Sequence, residues 1–335
     1  MVDQVPFRSA STTDPVPFRP INAPDIRTFA IAQMAVAMAV DRADPERPLR
    51  EIRVAVGSPK DGAFAPRLTL ASDTPNVAEA VVGGDIDVGV FNPSAYLTMA
   101  YRGLGPYSQP LPLRAIGVMP SLDWQVFAVA ERFGLPSIAA IKEQRAPLRI
   151  SVRADPTNTT RFVVDQVLSA YGFSLADIEG WGGSLQLIDG PRDPRRIQGM
   201  RDGTVDAVFD EGISGWGHLA LACGMRFLPL GEAGESRLKE LGWRLIPIDR
   251  AEFPELTDDL TAVSFSGWPL FTRADLPDDL AYQLAKGLDG ARPLVQWDSA
   301  NPVELRDLCV SSDACPLDVP LHPGAVGYYQ EQGAL

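Results

Sequence analysis

The residues best able to bind or transform a small molecule fall in four short stretches. Thr157, Asn158, Thr159 and Thr160 supply hydroxyl and amide groups after a β-rich run and before a helical one. Free N–H groups and the positive end of the helix dipole make such a start an anion site. Arg161 adds a guanidinium able to hold a carboxylate through two parallel hydrogen bonds. Plain N-capping uses the same residue types, so both roles stay open. Asn92 and Ser94, in NPSA, offer similar chemistry at another strand end. In SPKDGAF, Gly57, Ser58 and Gly62 let backbone approach a ligand, with Phe64 beside them, or else simply form a turn.

The adjacent carboxylates Asp210 and Glu211 form the fourth stretch, DEGISG. They could bind a ligand amine, or serve as acid and base with pKa values pushed apart. Alternation along the preceding strand turns Asp210 inward and leaves Glu211 partly exposed. His218, on the helical stretch GWGHLALACG, is a candidate proton shuttle; ordinary packing is its other reading. Trp124, Trp216 and Trp268 are candidate cleft walls or core residues.

These residues need a frame. Runs at 53–57, 87–91, 114–119, 125–130, 150–152, 184–188 and 205–209 read as short buried strands, with helical stretches between several of them. That alternation predicts an α/β fold with largely parallel sheets, whose ligands sit where strand ends meet helix starts. Neither GxGxxG nor GxxxxGK[ST] occurs, so a nucleotide fold has no motif behind it.

At 335 residues the chain exceeds one typical domain, and 45% hydrophobic residues suit an ordinary globular core. A net charge of −13 disfavours nucleic acid and anionic membranes as partners. No apolar run approaches the roughly 20 residues of a membrane helix, so no membrane insertion is expected. The nearest run, FAIAQMAVAMAV at 29–40, is interrupted by Gln33 and preceded by mixed charge. It predicts a packed helix over 26–41 rather than a cleaved signal, hence a cytoplasmic chain, with the periplasm as the alternative. Residues 1–24 read as an extended arm. Of the three cysteines, Cys309 and Cys315 are close enough in sequence to bridge, but free thiols are the simpler expectation for all three. With only His218 and His322, and no CxxC, neither a metal nor another cofactor is expected.

Several separated stretches resemble the TAXI family of solute-binding proteins, the receptors of one class of tripartite TRAP transporters. They are VAVGSPKDGAFAP, NVAEAVVGGDIDVGVFNPSAYLTMAYRG, RISVRADPTNTTRFVVDQVLSAYGFSLADI, FTRADLPDDLAYQLAKGL and VPLHPGAVGYYQEQG. The resemblance covers about residues 50–335. It implies a two-lobed fold of the type II periplasmic-binding-protein kind. Lobe one would take 48–128 plus 262–335 and lobe two 129–261, after an arm and helix at 1–47. Hinges would fall near 124–131 and 263–273. Departures from the family pattern are a first loop poorer in Gly and aromatic residues, Thr-Asn-Thr-Thr in place of Ser-Gly, and the Asp210-Glu211 pair.

Two functions follow. The first is a binding protein that closes its lobes over a small organic acid, with TRAP membrane subunits as partners if the chain is exported. The second is a cytoplasmic enzyme on the same fold, of decarboxylase or desulfinase type, using Asp210, Glu211 and His218 on a small acidic substrate. Fold alone does not choose between them.

Overall fold

A computed structural model describes residues 59–60, 63–64, 70–72, 77–156, 158–292 and 302–335. Gly57, Ser58, Gly62, Thr157 and the expected helix at 26–41 lie outside the described residues. Phe64 is placed by its backbone alone, in β2 (Ala63–Phe64), which pairs with β1 (Pro59–Lys60).

Two larger sheets organise the rest. The smaller has the order β3 (Leu70–Ser72), β4 (Val88–Val90), β13 (Trp268–Arg273), β5 (Leu113–Met119). The larger runs β11 (Leu245–Pro247), β12 (Thr261–Ser264), β6 (Trp124–Ala130), β9 (Ala207–Asp210), β7 (Arg149–Arg153), β8 (Ser184–Ile188), with β10 (Met225–Phe227) also on β6. The strands foreseen from 87 to 209 are all present, within two residues at either end. The parallel share is smaller than their rhythm suggested. Among the described strands, β3–β4, β7–β8 and β7–β9 pair in parallel, while every pairing made by β6, β12 and β13 is antiparallel. Sequence rhythm sees consecutive βα units. It does not see that β6, β12 and β13 enter their sheets from elsewhere in the chain.

Those strands join the sheets twice. The chain leaves β5, passes 120–123 and enters β6; it leaves β12, passes 265–267 and returns in β13. The two crossings bond to each other. Asp123 N–H donates to Ser266 Oγ at 3.1 Å, Phe265 N–H to the Asp123 carbonyl at 2.9 Å and Gly267 N–H to the Ser121 carbonyl at 3.0 Å. This paired crossing is the arrangement of a two-lobed type II binding-protein fold; its first segment runs just before 124–131 and its second lies within 263–273.

Burial alternates along the strands as pleating requires. On β6, Phe127 and Val129 face a core shared with Phe209, Phe91, Tyr96 and Phe271. Trp124, Val126 and Ala128 face a second core with Val208, Trp216 and Phe253. All seven residues of β6 are buried, so this strand is covered on both faces. A third core lies between the smaller sheet and two C-terminal helices, through Ile116, Leu288 and Tyr329. The three cysteines are free thiols, and burial raises Cys315 to about 12, so it is no nucleophile at neutral pH. Among the described residues no helix is long and apolar enough to cross a membrane.

Candidate functional site

The site begins with a register. β7 and β9 run in parallel with Ser151 beside Val208. Two residues further on, Arg153 and Asp210 stand side by side on the same face. Arg153 Nε donates to both Asp210 oxygens, at 2.9 and 3.0 Å. A helix, α1 (Pro194–Asp202), starts on Asp193, whose side chain accepts the Arg195 N–H at 2.8 Å. It drops Arg196 onto that face. Arg196 donates to Asp210 and, at 3.0 Å, to Ser151 Oγ, and its guanidinium lies 5.6 Å from the Trp216 ring centre.

Asp210 is thus fully buried and saturated, since it also accepts the Glu211 N–H at 3.0 Å. The expected alternation holds, because Asp210 does share the side of Val208. That side, however, is roofed by α1 and Trp216, so Asp210 lies beneath the cleft rather than in its wall. Glu211, one residue on, turns the other way. Arg153 donates to its Oε1, and its side chain keeps 18% exposure.

Above this network is a cavity of about 410 Å³. From the first sheet and the crossings it takes Asn92, Ser121, Asp123 and Trp268; from the second, Arg192, Glu211 and Ser214. Asp123 is held rigidly, its Oδ1 accepting Trp124 N–H at 2.7 Å and its Oδ2 accepting Gly212 N–H at 2.8 Å. The Glu211 carboxyl lies close enough to interact with it. Burial, and then the charge of Glu211, push the Asp123 carboxyl well above the usual carboxylate range. Burial likewise raises Glu211, opposed by Arg153. Burial works against the Arg153 charge too, but Asp210 and Glu211 outweigh it and hold the guanidinium above its ordinary value.

Asn92 is 7% exposed and donates through Nδ2 to the Phe265 and Gly267 carbonyls, both at 3.2 Å. Its Oδ1 has no protein partner among the described residues. Arg192 is exposed at the rim, without an ion-pair partner among the described residues. Gly215 leaves it room: a Cβ there would stand 2.9 Å from Arg192 Nε.

Apart from Trp268, the remaining expected residues that are described lie around this site rather than in its wall. Asn158 caps its helix, α2 (Thr159–Ala170), accepting Thr160 N–H at 2.9 Å. Thr159 and Thr160 are buried; the Thr159 carbonyl accepts from Tyr96 Oη at 3.4 Å, and Thr160 Oγ1 reaches Glu211 at 3.5 Å. Tyr96 also packs on Phe162, their ring centres 5.4 Å apart. Arg161 donates to the Arg153 carbonyl at 3.1 Å. The helix start expected to bind an anion is therefore capped by Asn158 and packed against aromatic side chains. Ser94 is buried, with its hydroxyl unpartnered among the described residues. Trp216 is buried and donates Nε1–H to the Glu211 carbonyl at 2.8 Å. Trp124 is core, and Trp268 lines the cavity.

His218 does not join Asp210 and Glu211. It stacks on Phe253 and pairs with Glu255 at 3.1 Å. The proposed acid–base group is therefore not assembled. The sequence reading missed Asp123, Arg153, Arg192 and Arg196. Arginines within a buried strand run (RISVR) and beside the cap of a helix (DPRRI) were the available signals, since a cation so placed must find a carboxylate.

The profile described as the NMT1-like family matches residues 74–333. The chain belongs to the NMT1-like family. Among solved structures it is similar to the alkanesulfonate-binding protein SsuA from Xanthomonas axonopodis pv. citri, bound to MOPS, at 16% identity over 67% of this chain and 61% of that one, TM-score 0.30. It is also similar to the periplasmic aliphatic sulphonate binding protein SsuA from Escherichia coli (16%, 66% and 57%, TM-score 0.32). A third similarity is to the periplasmic nitrate-binding protein NrtA from Synechocystis PCC 6803 (14%, 65% and 51%, TM-score 0.29). In each of the three, the match spans less than two thirds of the other protein's length.

Proposed function

We propose that this chain is a solute-binding protein, of the TAXI type that its sequence resembles, which closes around a small organic acid. The observation that carries the reading is the cavity at the paired crossing, lined from both sheets. A hinge beside a cavity lets a ligand that contacts both sides favour the closed state. The volume suits a small molecule. Membership of the NMT1-like family supports the reading, as does the failure of His218 to reach the carboxylates. Arg192, at the rim, would take the ligand's carboxylate in place of the Thr157–Thr160 start. The acceptors Asn92, Asp123 and Glu211 would take its donors. A type II receptor of this kind would work in the periplasm with a TRAP membrane subunit, rather than in the cytoplasm.

A thermal-shift screen over carboxylic, sulfonic and amino acids tests the proposal, because a ligand stabilises the native state by mass action. Each mixture is then analysed by mass spectrometry. The expected result is stabilisation by a few acids recovered unchanged. Recovery of a product would establish catalysis instead, and stabilisation by none of them would remove the binding reading.

A further inference from the structure

We propose that Asp123 and Glu211 share one proton in the ligand-free protein and exchange it for a cationic group of the solute, so that capture of an amine- or guanidine-bearing acid releases a proton. The inference rests on the solute-binding reading and names the class of solute.

The argument is one of charge matching. Two guanidinium groups, Arg153 and Arg196, meet three carboxyls, Asp210, Glu211 and Asp123. Asp210 takes a contact from each arginine, and Glu211 takes one from Arg153. Asp123 takes none among the described residues; its carboxyl accepts two backbone N–H groups, one from Gly212 beside Glu211. Two neighbouring carboxylates cannot both ionise in a confined site without a further positive charge. The proton therefore rests on Asp123, and its departure needs a third cation. Among the described residues the other charged groups lining the cavity are Arg192, exposed at the rim, and Glu252.

A second observation points to the same ligand group. Asn92 commits both donors to carbonyls of the crossing and presents only Oδ1, unpartnered among the described residues, from a side chain otherwise buried in the cavity wall. Asn92, Asp123 and Glu211 thus offer acceptors to one cavity. Trp268 adds an aromatic wall of the kind that cations favour. A solute with an anionic end for Arg192 and a cationic end for the carboxyl pair satisfies every one of these groups.

Two measurements decide it. Carboxyl-carbon NMR of the ligand-free chain, with Asp123 assigned by Asp123→Asn, should show Asp123 protonated at neutral pH. Calorimetry in buffers of different protonation enthalpy should then compare β-alanine with propionate, taurine with ethanesulfonate, and 4-guanidinobutyrate with butyrate. The amines should bind with release of about one proton, and their affinity should fall about tenfold for each pH unit below the titration of the pair. The amine-free analogues should release none. Asp123→Asn should abolish the release, and Glu211→Gln, which removes the shared proton from the other side, should do the same if the first variant folds poorly. An ionised Asp123 in the ligand-free protein, or amine binding without proton release, would overturn the inference. Amine-free acids that bind as well as the amines would sink it while leaving the solute-binding reading intact. A failure of every acid and amine to bind, or their conversion to products, would remove that broader reading.

Discussion

The Asp123 carboxyl accepts the Gly212 N–H at 2.8 Å, which ties the crossing between the sheets to the loop that carries Glu211. The bond lies at the end of the paired strands β6 and β9, so it fixes the crossing segment against the larger sheet, beside Glu211. One side chain thus joins the crossing to the cavity wall.

The pH dependence of stability follows from Asp123. Its folded pKa is raised, so the folded chain holds a proton that the unfolded chain has already lost. Its contribution is thus present at low pH and is lost as pH rises from the ordinary carboxylate value through the folded pKa. Chemical denaturation across that range should show a falling limb that Asp123→Asn flattens. An unchanged slope in the variant would assign the effect to other groups.

Removing Arg196 uncovers a buried charge. Arg196→Met deletes one of the two guanidinium partners of Asp210, and the fully buried carboxylate keeps only Arg153 and one backbone N–H. Loss of a buried partner costs about 3–5 kcal/mol, less whatever the methionine recovers in packing on Trp216. A urea-unfolding midpoint close to wild type would show that Arg153 suffices.

Gly267 has φ 76°, and a Cβ there would run into Ser94 Oγ and stand 2.7 Å from Pro316 Cδ. Gly267→Ala should therefore destabilise the crossing by about 1–3 kcal/mol. The same change should weaken ligand binding, because the Gly267 carbonyl orients Asn92. Thermal unfolding and ligand titration of one preparation read both effects.

Glu211→Gln separates binding from catalysis. In a receptor it should change affinity by no more than about 1–3 kcal/mol, as for one charge-assisted hydrogen bond. In an enzyme using Glu211 as acid or base it should cut turnover by roughly 10²–10⁴ with binding nearly intact. Calorimetry beside product analysis distinguishes them.

Much was legible in the sequence because its causes are local. Strands from 87 to 209 announced themselves by alternation, Asn158 by its place before a helix, and Asn92 and Glu211 by strand ends. The family resemblance put hinges near 124–131 and 263–273, and the described crossings run at 120–123 and 265–267. What only the tertiary structure decided depends on distance across the chain. Asp123 reaches Glu211 because β6 and β9 pair antiparallel, which brings residues 88 positions apart together. Asp210 is roofed because α1 lays Arg196 on its face. His218 goes to Glu255 because its helix turns it away from the carboxylates. Pleating fixes which side of a strand a residue takes, and Asp210 took the side expected of it. Whether that side meets solvent, a ligand or an arginine is set by the element packed over it, and no periodicity within the strand records that.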